Sequence, residues 1–411
     1  MAPGPWTAVG AGPGGGAWAR PPLRSLLFVP GTRTDWLPKA RAAGADAVIL
    51  DLEDAVPWEG KASARDQVAE AIEEEARAQA AEAGREARAQ AAVAGDARAR
   101  AAMAGEKARA QAGAWAEEAA ERRGPGAGSV PVRASAPAGA PAPAPARAGA
   151  GDAALAPADA GDWAPAPAAG PGPWRTRLFV RVNPLDGWAA AGELRAVARP
   201  GLSGIVLPKV TGADDIRFAD RLLGWCEREH GLPPGALALV PLLETARALR
   251  DAHGCAAAAA RVAYLGAVTG AGGDVERAVG YRWSPQGAET HALRSRVLLD
   301  VRAAGSPHPV AGLWTRIGEL DGLRAFAEQN RALGYTGMMA IHPSHVAVIN
   351  EVFSPRPAEL DRAARLIAAV AEARARGAGA VVFEGEMVDE AMAATARLML
   401  EHHAARDSPL P

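Results

Sequence analysis

The sequence predicts an α/β fold: a (β/α)8 barrel of the TIM type with a C-terminal strand–helix extension and a long low-complexity insertion. Three observations carry this. Short apolar runs alternate with longer amphipathic stretches along most of the chain. The runs are continuous rather than polar/apolar alternating, as expected of parallel strands buried on both faces. A polar residue closes each run at near-regular spacing, which places a row of functional groups at the strand C-terminal ends.

Taken in order, RSLLFVP precedes a helical stretch at Thr34–Ala43, and DAVILDLED precedes Lys61–Glu73. RLFVRVN leads into Ala189–Ala198, and SGIVLPK into Ala213–Arg228. LALVPLLE, RVAYLGAV, HPVAGLW and TGMMAIHP continue the pattern, each followed by a helical segment, to give eight strands. The closing polar residues are Glu53, Arg181, Lys209, Glu244, Asp274 and His342. From 181 to 209 is 28 residues, from 209 to 244 is 35, and from 244 to 274 is 30. These match the about 31 residues per unit of a typical barrel. From 274 to 342 is 68, two units, and from 53 to 181 is 128, one unit plus an insertion.

The insertion has two parts. Residues 74–123 are rich in Ala, Arg, Glu and Gln, good helix formers with almost no large apolar residue to anchor a packed face. An exposed helix is expected there, frayed at Gly84, Gly95, Gly105 and Gly113. Residues 124–174 are mostly Ala, Pro and Gly, too poor in apolar surface to offset chain entropy, and read as a disordered linker. The insertion falls between helix two and strand three, on the barrel face remote from the chemistry. Residues 1–22 read as a disordered Gly/Pro leader, which leaves residues 23–73 and 175–403 for a single barrel with its extension.

The 411 residues are 49% hydrophobic but only 5% aromatic, so much of the apolar content is alanine and buries little area per residue. Lys and Arg number 45 against 47 Asp and Glu, a net charge of -2 that disfavours a nucleic-acid or membrane-surface binder. No apolar run approaches the roughly 18 residues that a membrane span needs. The two cysteines, Cys226 and Cys255, form no CxxC pair, and a reducing cytoplasm is the expected compartment.

Glu244 and Asp274 end adjacent strands, where two carboxylates with open positions suit Mg2+; solvated loop carboxylates are the alternative. Asp274 follows the glycine-rich Gly270-Ala271-Gly272-Gly273, which lacks the rest of a dinucleotide fingerprint. Arg181 in a buried strand needs a partner. A fixed guanidinium there binds a carboxylate or neutralises an oxyanion, or else forms an internal salt bridge with Glu53 or Asp51. Of the acids Asp51, Glu53 and Asp54, Glu53 is expected to orient Arg181. Arg33 and Lys39 follow the first strand and suit phosphate, though Lys39 also reads as a surface lysine. His342 reads as a satisfied structural histidine. Met387 and Asp389 lie in the C-terminal extension, which is expected to pack across the barrel or onto a neighbouring subunit.

RSLLFVPG, DAVILDLEDAV, VRVNPLDG, GIVLPKV, PLLET, IHPSHV with NEVFSP, and GEMVD occur in that order. Together they resemble the citrate lyase β-subunit-like and malyl-CoA lyase family of CoA-ester lyases, over about residues 23–73 and 175–403. The resemblance implies a TIM-barrel homotrimer or homohexamer that cleaves or forms a C–C bond between an acyl-CoA and a 2-oxo acid. It implies Mg2+ on Glu244 and Asp274, substrate contact by Arg181, and acyl-CoA contact in the Phe28 to Lys39 region, including Arg33. It also implies that Asp389 of a neighbouring subunit completes the site. The expected substrate is malyl-CoA or citramalyl-CoA, yielding acetyl-CoA with glyoxylate or pyruvate. Thioester hydrolysis of malyl-CoA, citryl-thioester cleavage of the citrate lyase β type, and a non-catalytic scaffold are the other readings.

Overall fold

The computed structural model describes residues 20–121, 176–306 and 308–406. The chain divides into two compact units, residues 1–76 with 152–411, and residues 77–151. The expected linker at 124–174 lies outside the described residues.

In the first unit, β1 (Ser25–Pro30), α1 (Leu37–Ala42) and β2 (Ala47–Asp51) precede the start of α2 (Lys61–Glu121). Then come β3 (Arg177–Arg181), α3 (Trp188–Val197), β4 (Gly204–Leu207), α4 (Ala213–Glu229) and β5 (Ala238–Pro241). Short helices α5 (Ala246–Arg250), α6 (Ala252–Ala256) and α7 (Asp274–Val279) lead to α8 (Ala288–Ala303). β6 (Val310–Ala311), α9 (Leu320–Leu333), β7 (Gly337–Ala340) and α10 (Pro343–Phe353) follow. The chain continues through α11 (Pro357–Ala375), the hairpin β8 (Ala380–Phe383) and β9 (Glu386–Asp389), and α12 (Glu390–Arg406).

Seven strands pair in parallel in the order β5-β4-β3-β2-β1-β7-β6. Successive residues sort to opposite faces, as strand geometry requires. Leu27 and Val29 of β1 join the layer between sheet and helices, whereas Leu26 joins an inner cluster with Ile49, Phe179 and Val206. That inner cluster also holds Ala238 and Val240 of β5 and Val310 of β6, the two edge strands of the order. The sheet is therefore curled on itself.

An eighth regular strand does not form. RVAYLGAV makes only isolated parallel bridges, Leu239 to Val262 and Val268 to Gly312. The interruption has a local cause: Tyr264 takes a positive φ of 57°, which extended backbone cannot accommodate. Its phenol donates to the Pro21 carbonyl at 2.9 Å, and its ring meets Phe179 edge-on. Close approach is bought here by glycine: a Cβ on Gly266 would lie 2.1 Å from the Val310 carbonyl oxygen, and one on Gly337 would lie 1.9 Å from that of Leu23.

Three expected boundaries shift. Residues 20–22, assigned to a disordered leader, are packed: Arg20 donates to the carbonyls of Gly235 and Ala236. Helix two was expected to end at Glu73, with a separate, frayed helix after it; instead α2 runs unbroken to Glu121 through all four glycines. Ala, Arg, Glu and Gln propagate a helix well enough to carry isolated glycines at about 1 kcal/mol each. The C-terminal extension holds an antiparallel hairpin rather than one strand, with Val388 buried among Leu366, Val370 and Ala393 of α11 and α12. No described helix is long and apolar enough to cross a membrane.

Candidate active site

Asp51 and Arg181 are the last residues of β2 and β3, and the parallel register sets them directly opposite each other. Arg181 Nε and Nη2 donate to Asp51 Oδ1 and Oδ2, both at 2.7 Å, a bidentate fork. Arg181 Nη1 lies 2.9 Å from Glu53 Oε2 and 3.3 Å from Asp54 Oδ2. The guanidinium also sits 5.0 Å from the Phe28 ring centroid. Burial works against its charge, but hydrogen bonding to Asp51 and the charges of Asp51, Glu53 and Asp54 prevail and hold its pKa above the ordinary value.

Lys209, just past β4, takes a positive φ of 50°. Its backbone N–H donates to Glu244 Oε2 at 2.8 Å, and its ammonium donates to Glu53 Oε1 at 2.5 Å and Asp54 Oδ1 at 3.1 Å. Burial pushes the Glu53 carboxyl above its usual range despite the nearby cations Arg181 and Lys209.

Glu244 follows β5, one residue before Thr245, whose hydroxyl caps α5 by accepting from the Ala248 amide. Burial raises the Glu244 pKa to about 7, against the hydrogen bond from Lys209, because a carboxylate so placed lacks enough compensating charge. Asp274 is the first residue of α7, after the glycine-rich turn, and pairs with Arg277. Its Oδ2 lies 3.9 Å from Lys209 Nζ.

A cavity of about 440 Å³ opens between these groups. Phe28, Arg181, Glu244 and Asp274 line it together with Asp51 and Asp54, and Leu242, Val268, Leu313 and Met339 supply apolar wall. Four of the residues singled out from sequence thus share one pocket. Glu53 is buried and is not among the lining residues; it pairs with Arg181 at 2.9 Å, while the bidentate fork on the guanidinium is made by Asp51. Arg33 is paired with Asp35 and lies over Trp36, Lys39 is exposed on α1, and neither is among the lining residues. Asp389 is exposed at the end of β9, where its Oδ1 accepts the amides of Ala391 and Met392. His342 caps α10, with Nδ1 accepting from the Ser344 amide.

Lys209 is the residue that sequence reading left without a role. Its signal was present, a lysine closing a buried apolar run, but its partners are set by the register of β2, β4 and β5. Among the described residues no group of three or more His, Cys, Asp or Glu side chains is arranged to hold a metal. Four carboxylates line the pocket, and of these Asp51 is engaged by Arg181 while Glu244 and Asp274 make no contact with it.

A family model described as HpcH/HpaI aldolase/citrate lyase matches residues 24–107 and 159–343. A citrate lyase subunit beta-like protein of Deinococcus radiodurans is 38% identical over 231 residues, covering 55% of this chain and 75% of the relative. A (3S)-malyl-CoA thioesterase of Cereibacter sphaeroides is 35% identical over 221 residues, covering 54% of this chain and 72% of the relative. Two solved structures share the fold. Protein CitE from Mycobacterium tuberculosis, in complex with magnesium, acetoacetate and coenzyme A, superposes with a TM-score of 0.54 at 22% identity, over 93% of this chain and 98% of that one. A citrate lyase from Burkholderia xenovorans reaches 0.59 at 15% identity, over 96% and 97%. With more than half of its length matched, and with a curled parallel sheet that gathers charged groups at the strand ends, the chain belongs to the HpcH/HpaI aldolase/citrate lyase family.

Proposed function

We propose that this pocket cleaves or forms the C–C bond of a malyl-CoA- or citramalyl-CoA-like 3-hydroxyacyl-CoA, with acetyl-CoA and a 2-oxo acid as the other side of the reaction. The observation that carries this reading is the placement of a carboxylate-fixed guanidinium, Arg181, in the same cavity as Glu244 and Asp274.

The donor set fits Mg2+. Two carboxylates with cavity space beside them leave positions for water and a bidentate oxo acid, which is how Mg2+ is usually held. Glu244 is half-buried at the cavity, with its Oε2 accepting the Lys209 N–H. Glu244 and Asp274 would hold the ion, which when bound supplies Lewis-acid polarisation of an oxo-acid oxygen. Arg181 supplies fixed positive charge for the thioester oxygen as the C–C bond breaks and the acetyl carbon becomes an enolate. Asp51 and Glu53 hold the guanidinium in place, so little reorganisation is needed as charge develops. The apolar wall of Leu242, Val268 and Leu313 excludes water from that charge. Arg33 and Lys39 are offered to the phosphates of the acyl-CoA.

Cleavage also requires the substrate hydroxyl to lose a proton and the enolate carbon to gain one. Asp389, exposed and outside the pocket of its own chain, suits that task when presented by a second copy in a homotrimer or homohexamer. Mixing Asp389→Ala chains with Glu244→Gln chains, each inactive alone, is then expected to restore part of the activity. No recovery on mixing, with subunit exchange verified, would exclude a shared site.

Hydrolysis of the thioester on the same site is the second reading, favoured by the relatives named malyl-CoA thioesterase. Citryl-thioester cleavage is a third, from those named citrate lyase subunit beta. Malyl-, citramalyl- and citryl-CoA assayed with and without Mg2+ separate them. Release of glyoxylate, pyruvate or oxaloacetate only with Mg2+ is expected for the lyase, and free malate marks the thioesterase. Consumption of none of the three leaves the scaffold reading.

A further inference from the structure

One residue contacts three of the four acids that line the pocket, and the buried Glu53 beside them. Lys209 reaches Glu53 at 2.5 Å, Asp54 at 3.1 Å and Asp274 at 3.9 Å through its ammonium, and Glu244 at 2.8 Å through its backbone amide. Backbone amide and ammonium thus engage different acids, and the residue does so in a left-handed conformation, at φ 50°. Asp51 and Arg181 satisfy each other by their bidentate fork. That leaves Glu53, Asp54, Glu244 and Asp274 around Lys209, which among the described residues is, beyond the shared Arg181 and the surface residue Arg277, the cation in contact with them. Like charges gathered round one residue repel strongly where water is partly excluded, so an ammonium in contact with three of them lowers the cost of gathering them.

We propose that Lys209 is a resident counter-ion, a positioning residue whose ammonium holds the carboxylate cluster together before a divalent cation arrives and then competes electrostatically with that cation. The inference rests on the metal reading of Glu244 and Asp274 given above. Its consequence is opposite to that of an ordinary supporting residue. Removing Lys209 should weaken the metal-free fold and strengthen metal binding, because a positive charge a few ångströms from a divalent ion raises the ion's energy.

The test uses the full chain and Mg2+ alone, with no substrate. Lys209→Met keeps the stem without the charge, Lys209→Gln keeps a hydrogen-bond donor for Glu53, and Lys209→Arg restores the charge. Thermal midpoints in a chelator and Mg2+ dissociation constants by calorimetry are read for each. Met and Gln variants are expected to melt lower than wild type without metal and to bind Mg2+ roughly 10-fold tighter, with Arg returning both values toward wild type. A Met variant that folds only when Mg2+ is added has the same meaning. Wild-type binding that is abolished by Glu244→Gln, yet is no tighter in the Lys209 variants, overturns this inference and leaves the metal reading standing. No Mg2+ binding by wild type overturns both.

Discussion

Arg181→Met is expected to abolish turnover and to lower stability by about 3–5 kcal/mol, the range for breaking a buried charge pair from one side. The size follows from what stays behind. Asp51 and Glu53 are 2% and 4% exposed, and without the guanidinium Asp51 keeps only the amides of Glu53 and Ala55, with no cation, and Glu53 keeps only the Lys209 ammonium. Urea denaturation reads the loss, and an unchanged midpoint would refute the account of this cluster. Arg181→Lys separates the two roles. It restores charge and part of the stability, but a lysine cannot reproduce the fork on Asp51, so activity should remain down by roughly 10²–10³-fold.

Glu244→Gln is expected to remove Mg2+ binding and to reduce turnover by roughly 10³-fold while the chain stays folded, since the amide oxygen can still accept from Lys209 N–H. Its effect on stability depends on pH in a definite direction. In the metal-free wild type the carboxyl has a pKa of about 7 folded against 4.5 unfolded, so between these values the folded state binds more protons. Stability is highest below the unfolded value and falls as pH rises toward 7, by about 2–3 kcal/mol from this group. Glutamine cannot titrate, so the variant should lack this component of the slope and become the more stable protein above pH 7 in a chelator. Thermal midpoints of both proteins from pH 4 to 8 check this; parallel curves would show that Glu244 is not the strained carboxylate.

The sequence made the strand order and the functional end of the sheet readable because both depend on local pattern. Most of the apolar runs form strands of four to six residues, and the polar residue after each emerges at the C-terminal end. Phe28, Arg181, Glu244 and Asp274 reach one cavity for that reason. The misses share another cause. Tyr264 looks like a strand residue, and only its long-range bond to Pro21 and its contact with Phe179 go with the backbone turn that ends the ladder there. Asp51 and Glu53 both pair with Arg181, and that the bidentate fork falls to Asp51 follows from the register that sets it opposite. The helix over 74–121 was legible in its Ala, Arg, Glu and Gln content, but its continuity with helix two was not, because the apolar stripe that marks Lys61–Glu73 stops there.

The irregular segment between β5 and β6 bears on more than strand count. Glu244 follows β5 and Asp274 follows that segment, so the two carboxylates stand on either side of a join held by a single bridge, at Leu239 and Val262. Under the proposed function, an ion shared by the pair would act as a rivet across one of the sheet's two joins that rest on a single bridge. Filling the pocket and suppressing local opening at that join would then be one thermodynamic event, not two.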